Sequence, residues 1–211
     1  MIKPITIYGN PVLRKECVSI EKTYPGIQEV IETMWQTLRN ADGCGLAAPQ
    51  INLPIKLFVV NSRDSYACMS IRERERFFSK DDCGIEETFI NAEITGYSDE
   101  VWTTGEGCLS IPDLYEEVTR PWSITIKYQD KEFNEQVKVY HGYTARIIQH
   151  EFEHTEGKLY RSYVAFQETI IAEQTGTHPE KKDKCVISNT KVILNRRLCL
   201  TFRIFVASII P

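Results

Sequence analysis

Absences narrow the reading first. The sequence has no CxxC pair, no Lys/Arg block and no internal repeat. Its seven cysteines, at positions 17, 44, 68, 83, 108, 185 and 199, are odd in number and irregularly spaced. They indicate no disulfide framework, so a reducing cytoplasm is the expected setting. A cysteine that matters in such a chain matters alone, as a nucleophile or a metal ligand. With no basic cluster and a formal net charge of −4, the chain offers no electrostatic footprint for nucleic acid. Its start, Met1-Ile-Lys-Pro-Ile5, lacks the charged head and continuous apolar run of a signal peptide, and is not Arg/Ser-rich like a transit peptide. The apolar stretch 198–210 is broken by Arg203 and is shorter than the roughly 20 residues of a membrane span, so no membrane association is expected.

What is present suits one globular domain with a core and an appended tail: 211 residues, 42% hydrophobic and 26% charged. Ile27, Val30, Ile31, Met34, Trp35 and Leu38 recur at helical spacing. They predict a helix from 25 to about 41, with Pro25 in its first turn and Asp42-Gly43 at its end. Residues 55–60 form a short apolar run rich in branched side chains, a buried strand. Residues 61–82 are charged and punctuated by serine, an exposed excursion. Ile124, Ile126 and Tyr128, then Val137 and Val139, alternate with polar residues on either side of Gln129-Asp-Lys131, an antiparallel pair. A second helix is predicted over 142–156, closed by Gly157. Tyr143, Ile147, Ile148 and Phe152 make it apolar around much of its circumference, as in a helix buried in a core. The fold class expected is α+β, with antiparallel sheets packed around this buried helix.

The late helix contains His150-Glu-Phe-Glu-His154, an HExxH motif. Positions i and i+4 share a helix face, so both imidazoles can reach one metal ion, and Glu151 sits beside them without being a ligand. Two histidines on a solvated face would be the ordinary explanation. The apolar neighbours Ile147, Ile148 and Phe152 argue against it, because buried imidazoles and carboxylates cost free energy unless paired or metal-bound. Two other segments stand out: Gly43-Cys-Gly-Leu-Ala-Ala-Pro-Gln50 and Glu106-Gly-Cys-Leu-Ser110. Singly they read as a glycine-closed helix end and a buried cysteine in a turn.

In this order the three blocks, GxGLAAPQ, EGCLS and QHExxH, resemble the signatures of the peptide deformylase family. The resemblance runs from Gly9-Asn-Pro-Val-Leu-Arg-Lys15 to Gly157-Lys-Leu-Tyr160, about three-quarters of the chain. Departures are Glu153, where the family usually has Asp, and Cys44, where an aliphatic residue is common. The resemblance implies hydrolytic removal of the formyl group from N-formylmethionine of nascent peptides at the ribosome, in a bacterial-type cytoplasm. It implies one divalent ion held by Cys108, His150 and His154 with a fourth, open position, the catalytic type of site. Iron(II) is the family's usual ion, with nickel, cobalt or zinc substituting; by ligand softness alone the set suits zinc. Glu151 would carry the proton, and Gln50 with the backbone N–H of Leu109 would hold the charged oxygen. Gly43 and Gly45 would let the loop pair with an extended peptide, and Ile147 or Ile148 would line the methionine pocket.

Two rival readings use the same residues. A zinc endopeptidase takes its third ligand from a Glu or His downstream of HExxH, and the only histidine there is His178. A damaged, non-catalytic relative would bind an ion or partner without turnover. The expected organisation is a catalytic domain over 1–160 and an atypical tail over 161–211. The segment Val164-Ala-Phe-Gln-Glu-Thr-Ile170, in suitable codons read one nucleotide later, can encode Ser-Pro-Phe-Arg-Lys-Gln-Leu, which is similar to the family's continuation. A shift of coding frame near 160–163 is therefore expected, with a lineage-specific extension as the alternative.

Overall fold

The structure, a computed structural model, describes residues 1–159. The expected tail at 161–211, the frame shift near 160–163, the apolar stretch 198–210 and His178 all lie outside the described residues. No helix among the described residues is long and apolar enough to cross a membrane. Cys17, Cys44, Cys68, Cys83 and Cys108 form no disulfide.

Within these bounds the fold mixes helices with antiparallel sheets. Strands β1 (Gly45–Ala47), β2 (Leu57–Asn61), β3 (Glu86–Tyr97), β6 (Ser123–Gln129) and β7 (Glu135–His141) form one sheet, hydrogen-bonded in the order β1-β2-β3-β6-β7. Strands β4 (Val101–Cys108) and β5 (Ile111–Pro121) pair separately as a hairpin. The continuous apolar run of β2 has a direct cause. Leu57 and Val59 pack on one side with Ile27, Ile31, Met34, Trp35 and Leu38 of helix α1 (Ile27–Ala41). Phe58 and Val60 pack on the other with Ala145, Ile147 and Ile148 of helix α4 (Gly142–Thr155). A strand covered on both faces has no polar side to show. Each such side chain contributes about 1.5–3 kcal/mol of burial.

Helix α1 begins at Ile27, so Pro25, expected in its first turn, lies before it beyond a left-handed Gly26. It ends at Ala41, capped by Asp42, also left-handed. Residues 61–82 are largely exposed or half-buried, as expected, but they are not an irregular excursion. They form two short helices, α2 (Ser62–Cys68) and α3 (Ile71–Phe77). Asn61 caps α2, and Ser70 with Glu73 forms a reciprocal capping box on α3. The segment docks on the first turn of α4: Ser62 lies 2.9 Å from the Thr144 hydroxyl, which donates to Asp82 at 3.0 Å. At Gly142, with φ +53°, a Cβ would stand 2.3 Å from the Phe77 carbonyl oxygen, so only glycine lets α3 meet the start of α4. Val137 and Val139 lie on β7 as expected, but they face outward, 67% and 55% exposed. The opposite face of that edge strand carries Tyr140, whose hydroxyl donates to Glu87.

Candidate metal centre

Period-two alternation on β4 turns Glu106 and Cys108 inward, and the hairpin slips register between Gly107 and Cys108 as it turns toward β5. Helical periodicity places His150 and His154 on one face of α4. These elements bring the Cys108 thiol and the two imidazoles together. Their ligand atoms lie within 4.8 Å of one another, and Cys108 Sγ is 3.3 Å from His154 Nε2. All three side chains are buried.

The donor set fits a catalytic ion. One sulfur and two imidazole nitrogens converge, while the environment sets the rings for ligation. His150 Nδ1 faces Glu106 at 3.1 Å, and because an ionised carboxylate only accepts, Nδ1 carries a proton. Burial opposes charge on the ring, but hydrogen bonding to Cys108 and Glu106 outweighs it and holds His150 well above the ordinary histidine range. An ion would therefore displace a proton from the other nitrogen. Burial holds His154 well below the ordinary histidine range, so its ring is neutral. Such a buried cluster costs free energy when nothing binds it.

Gln50 is 1% exposed, and its amide orientation is fixed by bonding. The side-chain oxygen accepts the Ala47 N–H at 2.7 Å, so Nε2 turns toward Ser110 Oγ at 3.2 Å and Cys108 Sγ at 3.8 Å. Leu109 follows Cys108, half-buried. Glu151 is 4% exposed, and its Oε2 has no hydrogen-bond partner among the described residues. Burial pushes its carboxyl up to about 7.

The two loop glycines stand where space is tightest. A Cβ on Gly43 would lie 2.8 Å from Leu109 Cδ1; one on Gly45 would lie 2.5 Å from Glu151 Oε1 and 2.6 Å from its Cγ. Their smallness makes room for Leu109 and Glu151. Ile147 keeps 7% exposure and Ile148 none, both within the helix–sheet core. The extended N-terminal segment ties the site loops together: Thr6 N–H donates to the Gln50 carbonyl at 2.7 Å, and Tyr8 N–H to that of Ser110 at 2.8 Å.

A buried ionic cluster behind His150 was not anticipated. Glu106 Oε1 accepts from Arg120 Nε at 2.6 Å and from Arg146 at 2.5 Å. Its Oε2 accepts from Arg120 at 3.0 Å. Burial opposes the Glu106 charge, but Arg120 and His150 outweigh it and hold the carboxyl well below the usual range. Arg120 donates to Glu153 at 2.6 and 3.0 Å. A signal existed for Arg146, which precedes His150 by one helical turn on the same face. Nothing local marks Arg120.

A family profile described as Polypeptide deformylase matches residues 2–169. A peptide deformylase of Flavobacterium psychrophilum is 47% identical over 160 residues, 76% of this chain and 81% of that one. One from Christiangramia forsetii is 42% identical over 160 residues, 76% of this chain and 80% of its own length. Among solved structures, the peptide deformylase from Thermotoga maritima is 31% identical and superposes with a TM-score of 0.63, covering 77% of this chain and 97% of that one.

Proposed function

The chain belongs to the polypeptide deformylase family, metallohydrolases that remove the formyl group from N-formylmethionine, and we propose that Cys108, His150 and His154 hold its catalytic ion. The observation that supports this most is the meeting of one thiol and two imidazoles within 4.8 Å, beside the Gln50 amide and the Glu151 carboxylate. In this reading the helix bearing HExxH is the element around which both sheets are organised. When bound, the cation supplies Lewis acidity: it lowers the pKa of water to about 7 and withdraws charge from the formyl oxygen. Iron(II) is the physiological ion in this proposal, and nickel, cobalt or zinc can replace it.

Glu151 takes the proton of the attacking water and returns it to the peptide nitrogen as the C–N bond breaks. Formate and a free methionine amine result. Gln50 Nε2 and the Leu109 N–H donate to the formyl oxygen as negative charge gathers there. The Gln50 oxygen is already bonded to Ala47, so the amide needs no reorientation during the reaction. Backbone at Gly43 and Gly45 pairs with the extended peptide. The methionine side chain rests against Ile147, with Ile148 supporting it from behind. The substrate is the nascent chain at the ribosome, and the compartment is the bacterial-type cytoplasm.

The test is anaerobic purification with metal analysis and a formate-release assay on formyl-Met peptides beside unformylated ones. Formate release from the formylated peptide alone is expected; cleavage of internal bonds instead would favour the endopeptidase reading. Metal-replete protein with no turnover would favour the damaged relative. The frame shift near 160–163 is part of the same proposal, with residues 161–211 as its product. The nucleotide sequence tests it directly, since the shifted frame must encode the Ser-Pro-Phe segment.

A further inference from the structure

Arg120 lies between two carboxylates. One edge of its guanidinium holds both oxygens of Glu106, at 2.6 and 3.0 Å, and it also holds both oxygens of Glu153, at 2.6 and 3.0 Å. Paired bonds of this kind fix direction as well as distance. Glu106 in turn faces His150 Nδ1 and receives Arg146. Arg120 and Arg146 are each 2% exposed, Glu106 is 7% exposed, and the Glu153 side chain is 19% exposed. Two carboxylates here face two guanidiniums.

We propose that Arg120 and Glu153 are positioning residues for His150: Glu153 fixes Arg120, Arg120 fixes the plane of Glu106, and Glu106 fixes which imidazole nitrogen faces the ion and at what angle.

The chemistry runs inward from the solvent edge. A carboxylate can pivot about its terminal bond, and the fork from Arg120 prevents this by holding both oxygens at once. The imidazole that donates to Glu106 is thereby held in one tautomer and one orientation. Lysine at position 120 would keep the charge but could not fork onto both acids. Glu153 is the removable end of the chain, being partly exposed. Replacing it by glutamine keeps the shape, removes one acceptor and leaves one uncompensated positive charge beside a site built for a cation. A network that served stability alone would lower the melting temperature and leave ion binding unchanged.

This inference rests on the proposed ligand set, so the experiment begins with it. Wild-type protein is loaded with Co²⁺, and its thiolate-to-metal absorption band is compared with that of Cys108→Ala. Glu153→Gln, Glu153→Asp and Arg120→Lys are then loaded in the same way. Chelator competition gives the Co²⁺ dissociation constant, the visible bands report ligand geometry, and melting is measured without the ion. Glu153→Gln is expected to weaken Co²⁺ binding by about 10–100-fold and to shift the visible bands while keeping the thiolate band. Glu153→Asp restores binding to within about threefold of wild type, because the shorter carboxylate can still accept from Arg120. Arg120→Lys acts in the same direction; if it fails to fold, Glu153→Gln decides. Binding within about twofold of wild type and unchanged bands in Glu153→Gln would overturn the proposal, whatever happens to the melting temperature. Absence of a thiolate band in the wild type would overturn the ligand set, and this inference with it.

Discussion

Gly45→Ala is the sharpest single test of how the loop and the late helix fit together. The added Cβ would stand 2.5 Å from Glu151 Oε1, 2.6 Å from Cγ and 2.8 Å from Cδ. Ordinary carbon contacts begin near 3.5 Å, so something must retreat by about 1 Å. The backbone resists, because β1 is paired to β2 at Gly45 opposite Val60. The side chain gives way, and that side chain is the proposed proton carrier. The stability cost is therefore modest, about 1–3 kcal/mol for added volume in a packed site. A misplacement of about 1 Å costs about 10²-fold in rate, or about 2.7 kcal/mol in the barrier. Formate release should show kcat down by about two orders of magnitude, with metal content unchanged. A rise in KM instead would assign Gly45 chiefly to pairing with the peptide. Shortening the acid relieves the clash, so Gly45→Ala should cost less in a Glu151→Asp background than alone. A Gly45→Ala enzyme that keeps kcat within about threefold of wild type would refute the argument.

Glu151→Ala should retain the metal and lose about 10²–10⁴-fold in formate release; retained turnover would remove Glu151 from the mechanism. Gln50→Ala removes a donor to the formyl oxygen and should cost about 2.7–4 kcal/mol in kcat with little change in KM, read from steady-state kinetics. Burial, with Glu156 adding, pushes the Cys17 thiol up to about 11. The unfolded thiol ionises near pH 8.5, so this contribution to stability is complete below that pH and is lost as pH rises toward about 11. Urea midpoints should therefore fall less steeply over that window in Cys17→Ala than in the wild type, and parallel curves would count against the assignment. Alkylation followed by peptide mass spectrometry should label exposed Cys68 and Cys83 well before Cys17. Deleting residues 1–8 removes the backbone bonds from Thr6 and Tyr8 to the Gln50 and Ser110 loops. The Lys3 N–H bond to Thr37 and the packing of Ile5 go with them, so at about 1 kcal/mol per bond stability should fall by about 3 kcal/mol or more while metal content persists.

Much of the fold was legible where one periodicity ruled. The apolar stripe of α1, the two-sided apolar run of β2 and the alternation in β6 all follow from what covers them. The helices at 62–77 were hidden because charged residues dominate α3, although Ser70 and Glu73 spelled out its cap. The hairpin β4–β5 was hidden for another reason. Its strands interleave Thr, Gly, Glu and Arg, and their inward positions are partly polar: Glu106 on one strand, Arg120 on the other. Alternation of hydrophobicity cannot reveal a strand whose buried face carries ion pairs. The candidate ligands could be named because His150 and His154 share a helix and because the block around Cys108 resembles a family signature. Their supporting residues could not, because Arg120 meets Glu153 only through tertiary folding.

The same network corrects the expectation that α4 is apolar around much of its circumference: the helix is buried, but one of its faces is polar. Ala145, Ile147, Ile148 and Phe152 pack against the five-stranded sheet. The stripe at 146, 149, 150, 153 and 154 is polar and faces the hairpin. Arg146 donates to the Trp102 carbonyl at 2.8 Å and that of Val118 at 3.0 Å, and Gln149 donates to that of Pro121 at 3.2 Å. Glu153, His150 and His154 meet Arg120, Glu106 and Cys108 in turn. The hairpin shares no sheet hydrogen bonds with the five-stranded sheet among the described residues. Directional polar bonds to α4 therefore contribute to its registry, beside the packing of Trp102 on Phe77 and under Arg146. If the hairpin delivers one sulfur to two imidazoles as proposed, directional bonds of this kind fix the register that the delivery needs.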